Sequence, residues 1–223
     1  MGAASLKLAF APELGRHDWQ FRPAPETAAC GVAQLDGLIS GLPRGCLTEI
    51  FGPASSGRVS LLTSILAQAT GRGETCVLVD AEDAFDPRSA AASGVRLEHL
   101  LWVCCNHDAE RALKAADLLI HGGGFGVVAM DLGDTPARMA QRISLTSWFR
   151  LRRAVEHTPT VFVVLSRQSN AKTCASLMLE CNRKRTEWSG VRGVSRLLCG
   201  ATIEVVRRKP SRMEAADVRL SLR

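Results

Sequence analysis

The chain has 223 residues, 46% of them apolar and 22% charged, which predicts one domain able to bury a core and excludes a collagen repeat or a disordered chain. It contains no apolar run approaching the roughly 18 residues needed to cross a membrane. The net charge of +6 is unevenly spread: residues 1–137 hold ten Lys/Arg against sixteen Asp/Glu, and residues 138–223 hold eighteen against six. A basic half that dense is a candidate surface for nucleic acid or an acidic partner, because clustered cations release counterions from phosphates; the plain alternative is a solvated surface.

The opening, Met1 to Lys7, lacks the charged and then apolar regions of a secretion signal, so a cytoplasmic location is expected. Residues 1–34 read as an irregular leader with Pro12, Pro23 and Pro25, and residues 35–223 as the core with a basic C-terminal part. The core alternates strand patterns with helical ones, the signature of a mostly parallel sheet sandwiched by helices. Strands are predicted at Leu47 to Phe51, Thr75 to Asp80, Leu100 to Cys104, Gly126 to Asp131 and Thr160 to Leu165. Apolar runs such as Val161 to Leu165 suit strands covered on both faces.

Helical spacing joins Leu61, Leu62, Ile65, Leu66 and Ala69, and again Ala109, Ala112, Leu113, Ala116, Leu119 and Ile120, with Gly122 to Gly124 as the stop. Further helices are predicted at about Pro136 to Val155 and Asn170 to Glu187, the second from Cys174, Leu177, Met178 and Cys181 at i, i+3, i+4 and i+7. Ala201 to Arg207 and Val218 to Leu222 read as edge strands. The eight cysteines form no Cys-x-x-Cys pair and the five histidines are scattered, so ordinary thiols and no metal site are expected.

Gly52-Pro53-Ala54-Ser55-Ser56-Gly57-Arg58-Val59-Ser60 follows a predicted strand and opens a helix. In that context a Gly-x4-Gly-Lys-[Ser/Thr] loop curls its amides round phosphate oxygens, with the lysine neutralising charge and the hydroxyl holding Mg²⁺. Arg58 stands in the lysine position with a bulkier planar fork, and Val59 offers no oxygen to a metal. Ser60 lies one residue late, about 100° round the helix. The glycines also have a purely structural reading, as the residues a strand-to-helix turn requires.

From about Leu35 to Gln168 the chain resembles a RecA-type ATPase core with a phosphate loop. The resemblance rests on Gly41-Leu42-Pro43-Arg44-Gly45, Thr48-Glu49-Ile50-Phe51-Gly52-Pro53, Val79-Asp80-Ala81-Glu82-Asp83-Ala84-Phe85-Asp86-Pro87 and Val127-Val128-Ala129-Met130-Asp131. It implies Glu82 as the residue that activates the attacking water and Asp131 as the acid near Mg²⁺, although both also fit bland cap or turn acids. The family's adenine-stacking tyrosine falls at Ser89, in a chain with no tyrosine. Gln168, after Ser166-Arg167, matches the family's switch glutamine with a shift, and the glycine-rich DNA-binding loop beyond it gives way to the helix predicted over Ala171 to Trp188. No cofactor is therefore expected, with weak ATP and Mg²⁺ binding as the alternative.

A core altered in these places is similar to the RecA-like ImuA proteins, accessory members of bacterial inducible-mutagenesis cassettes. That resemblance implies DNA-damage tolerance, translesion synthesis and modulation of recombination, with DNA, RecA and a Y-family-like polymerase-cassette protein as partners. An active DNA-dependent ATPase and a purely protein-binding module are the competing readings. Arg183, Lys184 and Arg185 near Trp188 read either as a phosphate clamp with a stacking ring or as cations favoured at a helix end. Arg150, Arg152 and Arg153, with Arg138, Arg142, Trp148 and Phe149, make a second candidate patch. Phe10, Trp19 and Phe21 in the leader read either as self-packing or, as in RecA relatives, as a dock for a neighbouring protomer.

Overall fold

The computed structural model describes residues 25–190, 196–210 and 213–221. The leader aromatics Phe10, Trp19 and Phe21 lie outside the described residues. A short antiparallel pair, β1 (Thr27–Ala28) with β2 (Leu42–Pro43), flanks helix α1 (Ala33–Ile39). The main sheet has eight strands: β3 (Cys46–Phe51), β4 (Cys76–Asp80), β5 (Leu100–Cys104), β6 (Val127–Asp131), β7 (Val161–Ser166), β8 (Leu177–Ser189), β9 (Leu197–Lys209) and β10 (Glu214–Ser221). Their spatial order is β10-β9-β8-β3-β7-β6-β4-β5. Strands β3 to β7 are parallel, β8 joins β3 in parallel, and β9 and β10 continue antiparallel.

The helices form where local chemistry starts and stops them. Helix α2 (Arg58–Gly71) begins at Gly57, whose φ of 89° needs a residue without a Cβ. Asp86 caps α3 (Pro87–Ala92), with Pro87 in the first turn where its missing N–H costs nothing, and Asp108 caps α4 (Ala109–Gly122). Gly123 ends α4, as the glycine run predicts. The sheet's two faces carry separate apolar layers. On one, α2 buries Leu61, Leu62, Ile65 and Leu66 against Ile50, Leu78 and Ile203; on the other, α4 and α6 (Leu145–Val155) bury Ala112, Ala116, Trp148 and Leu151 against Val77, Met130 and Phe162.

Two helical expectations are corrected. The segment predicted as one helix over Pro136 to Val155 is α5 (Ala137–Ala140) followed by α6, because Ser144 adopts extended backbone and its hydroxyl accepts the Ser147 amide to start a new helix. The helix predicted over Asn170 to Glu187 is a short 3-10 turn at Lys172–Cys174 followed by strand β8. Leu177, Leu179 and Cys181 alternate inward with Met178 and Glu180, a period of two that the apolar spacing from Cys174 masked. The loop replacing the glycine-rich segment is thus a turn into an antiparallel extension, not a helix.

Candidate functional site

Parallel strands bring the sequence motifs to one sheet edge. The phosphate loop follows β3, Glu82 follows β4, Asp131 closes β6 and Gln168 follows β7. This carboxyl edge is where ligands of open α/β sheets bind.

The loop keeps its turns, with Ser55 at φ 57° and Gly57 at φ 89°, and no side chain caps the first turn of α2. Ser56 is buried, and its hydroxyl has no hydrogen-bond partner among the described residues. The antiparallel extension lies against this loop. A Cβ on Gly52 would land on the Cys181 carbonyl, and one on Gly57 would stand 2.8 Å from Ile203 Cδ1 and 2.9 Å from Leu220 Cδ1.

Arg58 is only 5% exposed and turns inward. Its Nη1 and Nη2 donate to the Gly133 carbonyl at 3.4 and 3.3 Å, and Arg167 Nε donates to the same oxygen at 3.1 Å. Burial lowers the Arg58 pKa from its ordinary value, against the opposing pull of Asp131 and Asp134. Val59, by contrast, is 57% exposed, and beside it runs a groove of about 700 Å³ that also meets Ser60, Thr63, Phe85, Ser89 and Asp131. Ser89, where the stacking tyrosine would fall, has a hydroxyl bonded to Asp86.

The acids are engaged by the protein itself. Asp131 accepts the Gly133 amide at 2.7 Å, and burial, with Asp80 nearby, lifts its carboxyl to about 6. One Glu82 oxygen accepts from Thr135 Oγ1 at 2.8 Å and the other meets His107 Nδ1 at 3.0 Å. Asp80 takes the Phe85 amide and the Trp102 indole. Gln168 Oε1 accepts from Gln141 at 3.3 Å, and Arg167 pairs with Asp134 at 3.3 Å. Thr135 and His107 carry no signal in the sequence that marks them as neighbours of Glu82, nor Arg167 as a partner of Gly133; each arrives through a contact between segments far apart in the chain.

An arginine pointing into the protein and a valine where a metal-binding hydroxyl belongs do not fit a Mg²⁺–nucleotide of the usual kind. The Ser56 hydroxyl is the loop's one buried side-chain oxygen without a partner among the described residues.

The basic residues divide by partner. Arg150 pairs with Asp117 and Arg152 with Glu156, both at 3.1 Å, while Arg153 is exposed. On β8, Lys184 bridges Glu204 at 3.0 Å and Asp217 at 2.8 Å, whose hydrogen bonds raise its pKa. Arg183 and Arg185 are exposed and make no ion pair among the described residues. Beyond them Trp188, 48% exposed, lies opposite Leu198, with Leu197 also exposed. Both leucines escaped the sequence reading, because a paired ribbon becomes visible only once β8 is a strand. Among the described residues no cluster of His, Cys, Asp and Glu suits a metal, and no helix is long and apolar enough to cross a membrane.

The RecA N-terminal domain family matches residues 17–139. Over 118 residues the chain is 42% identical to Protein RecA of Pseudomonas fluorescens strain SBW25 and of Pseudomonas tolaasii, and 40% identical to that of Pseudomonas putida. The matched stretch is 53% of this chain and 33% of each relative, so the chain spans only part of the length of these proteins. With more than half of its residues matched and the matching motifs gathered at one sheet edge, this chain belongs to the RecA N-terminal domain family.

Proposed function

We propose that this chain is a RecA-family accessory protein of DNA-damage tolerance that binds DNA without hydrolysing nucleotide, closest in kind to the ImuA proteins. The observation that carries this reading is the pair of substitutions at the phosphate loop: Arg58 is buried on the Gly133 carbonyl, and Val59 faces outward without an oxygen. A lysine extended toward phosphate and a Mg²⁺ held in part by a hydroxyl supply most of the charge neutralisation in such loops, and neither the lysine nor the hydroxyl is in place. Glu82, held by Thr135 and His107, is not free to orient a water.

DNA binding is assigned to the β8 ribbon. Arg183 and Arg185 offer free cations, and Trp188 a ring on which a base stacks. Arg150 and Arg152 are partly neutralised by Asp117 and Glu156, which makes their helix the weaker candidate. The partners in this reading are RecA, a Y-family-like polymerase-cassette protein and, through the N-terminal segment, a second copy. Edge strand β5 is uncharged and exposes Leu101 and Trp102, as suits strand addition.

Anisotropy of labelled single- and double-stranded oligonucleotides, titrated at several salt concentrations, tests the DNA assignment. Salt-sensitive binding that weakens on charge reversal at Arg183 and Arg185 supports it, and binding indifferent to both residues removes it. The competing reading, a slow DNA-dependent ATPase, is favoured by one feature, the buried Ser56 hydroxyl beside an uncapped helix start. DNA-stimulated phosphate release abolished by Glu82→Gln would establish that alternative.

A further inference from the structure

Helix α6 has three differently used sides. At 100° per residue, Trp148, Leu151 and Val155 share the side buried on the sheet. Arg150 lies on the flank toward α4, where it meets Asp117. On the opposite flank Leu145 and Phe149 stand one turn apart, 47% and 41% exposed, and Arg153 follows one turn on. The 3-10 turn Lys172–Cys174 packs against α6 on the side of Arg152, whose charge acts on the Cys174 thiol. Arg142 is exposed three residues before Leu145, and Lys172 is exposed in that 3-10 turn.

Elsewhere several surface cations are matched, Arg44 and Arg72 by Glu74, Lys184 by Glu204 and Asp217 and Arg219 by Glu187, while others such as Arg183 and Arg185 are not among the described residues. Arg142, Arg153 and Lys172 have no carboxylate within ion-pair distance among the described residues. An apolar pair at i, i+4 with unmatched cations before it, after it and on the turn packed against its helix calls for an occupant with apolar side chains at helical spacing and acidic residues between them.

We propose that the Leu145–Phe149 flank of α6 docks an acidic amphipathic helical segment of a partner protein. The partner's apolar side chains cover Leu145 and Phe149, and its carboxylates pair with Arg142, Arg153 and Lys172. A nucleic acid is the poorer match: of the pair only Phe149 offers a base a stacking surface, and Leu145, the more exposed of the two, offers none. This surface is separate from the β8 ribbon assigned to DNA, so each can fail without the other.

The test uses the full chain and three labelled probes: a 16-residue peptide with leucines at i, i+3 and i+4 spacing and glutamates between them, its twin with lysines for the glutamates, and a single-stranded oligonucleotide. The acidic peptide is expected to bind at least tenfold more tightly than its twin. It is also expected to lose at least tenfold in affinity on Phe149→Ser and on Arg153→Glu, and to be unaffected by Arg183→Glu. Unchanged thermal melting of the variants separates lost docking from lost folding. No binding of the acidic peptide, equal binding of the twin, or loss through Arg183→Glu instead would overturn the proposal. So would oligonucleotide binding that depends on Arg142 and Arg153.

Discussion

Gly57→Ala tests directly whether the antiparallel extension closes the phosphate loop. The new methyl would stand 2.8 Å from Ile203 Cδ1, 2.9 Å from Ile203 Cγ2 and 2.9 Å from Leu220 Cδ1, at a backbone φ of 89°. The left-handed backbone costs an alanine about 1–2 kcal/mol. Ile203 is fully buried and cannot swing into solvent, so overpacking adds about 1–2 kcal/mol more. A total of about 2–4 kcal/mol should lower Tm by roughly 4–15 °C for a chain of this size. Ile203→Ala is itself destabilising by about 2–5 kcal/mol. In the double variant, however, the Ile203 share of the steric cost disappears while the Leu220 contact and the backbone part stay. Urea unfolding of all four proteins should therefore give about 1 kcal/mol of favourable coupling between the two sites. Additivity to within about 0.5 kcal/mol would mean that β9 does not rest on the loop.

Asp131 gives a pH dependence. Its carboxyl is held at about 6 by burial, above the ordinary aspartate value, so the native state binds that proton more tightly than the unfolded chain does. Ionisation then subtracts stability as pH rises from about 4 through 6, and the full penalty persists above that range. Asp131→Asn should raise Tm at pH 7.5, by at most the equivalent of about 3 kcal/mol, and leave it unchanged at pH 4; equal effects at both values would refute the assignment. On β8, Arg183→Glu with Arg185→Glu should weaken oligonucleotide binding more than tenfold and flatten its salt dependence. Lys184→Glu should do less, because Glu204 and Asp217 already hold that ammonium; the reverse ranking by anisotropy would displace the site. Glu49, buried, accepts from the Ser169 hydroxyl and the Asn170 and Ala171 amides. Glu49→Ala should cost about 3 kcal/mol by urea unfolding, and a loss below about 1 kcal/mol would show that this turn does not depend on it.

The parallel core was readable because each of its strands is a short apolar run bounded by turns and helices, and its motifs fall at strand ends. Val161 to Leu165 and the Leu61 to Ala69 stripe needed no distant partner to be recognised. Strand β8 was not readable, since Cys174, Leu177, Met178 and Cys181 satisfy a helical period while Leu177, Leu179 and Cys181 satisfy a strand period. Pairing with β3 and β9 decides between them, and that information lies elsewhere in the chain. The replacements at Arg58 and Val59 were visible, but not the inward course of Arg58 onto Gly133. Nor could spacing show that Ile203 and Leu220 cover Gly57, or that His107 and Thr135 occupy Glu82.

In the function proposed above, this RecA-family core keeps the turns of the phosphate loop without its nucleotide chemistry. Isothermal titration of ATP with Mg²⁺ into the full chain, paired with an overnight phosphate-release assay with and without DNA, tests it most directly. No heat of binding at micromolar ATP and no phosphate release above background are expected. Micromolar binding with DNA-stimulated release would contradict it and make Arg58 a working replacement for lysine.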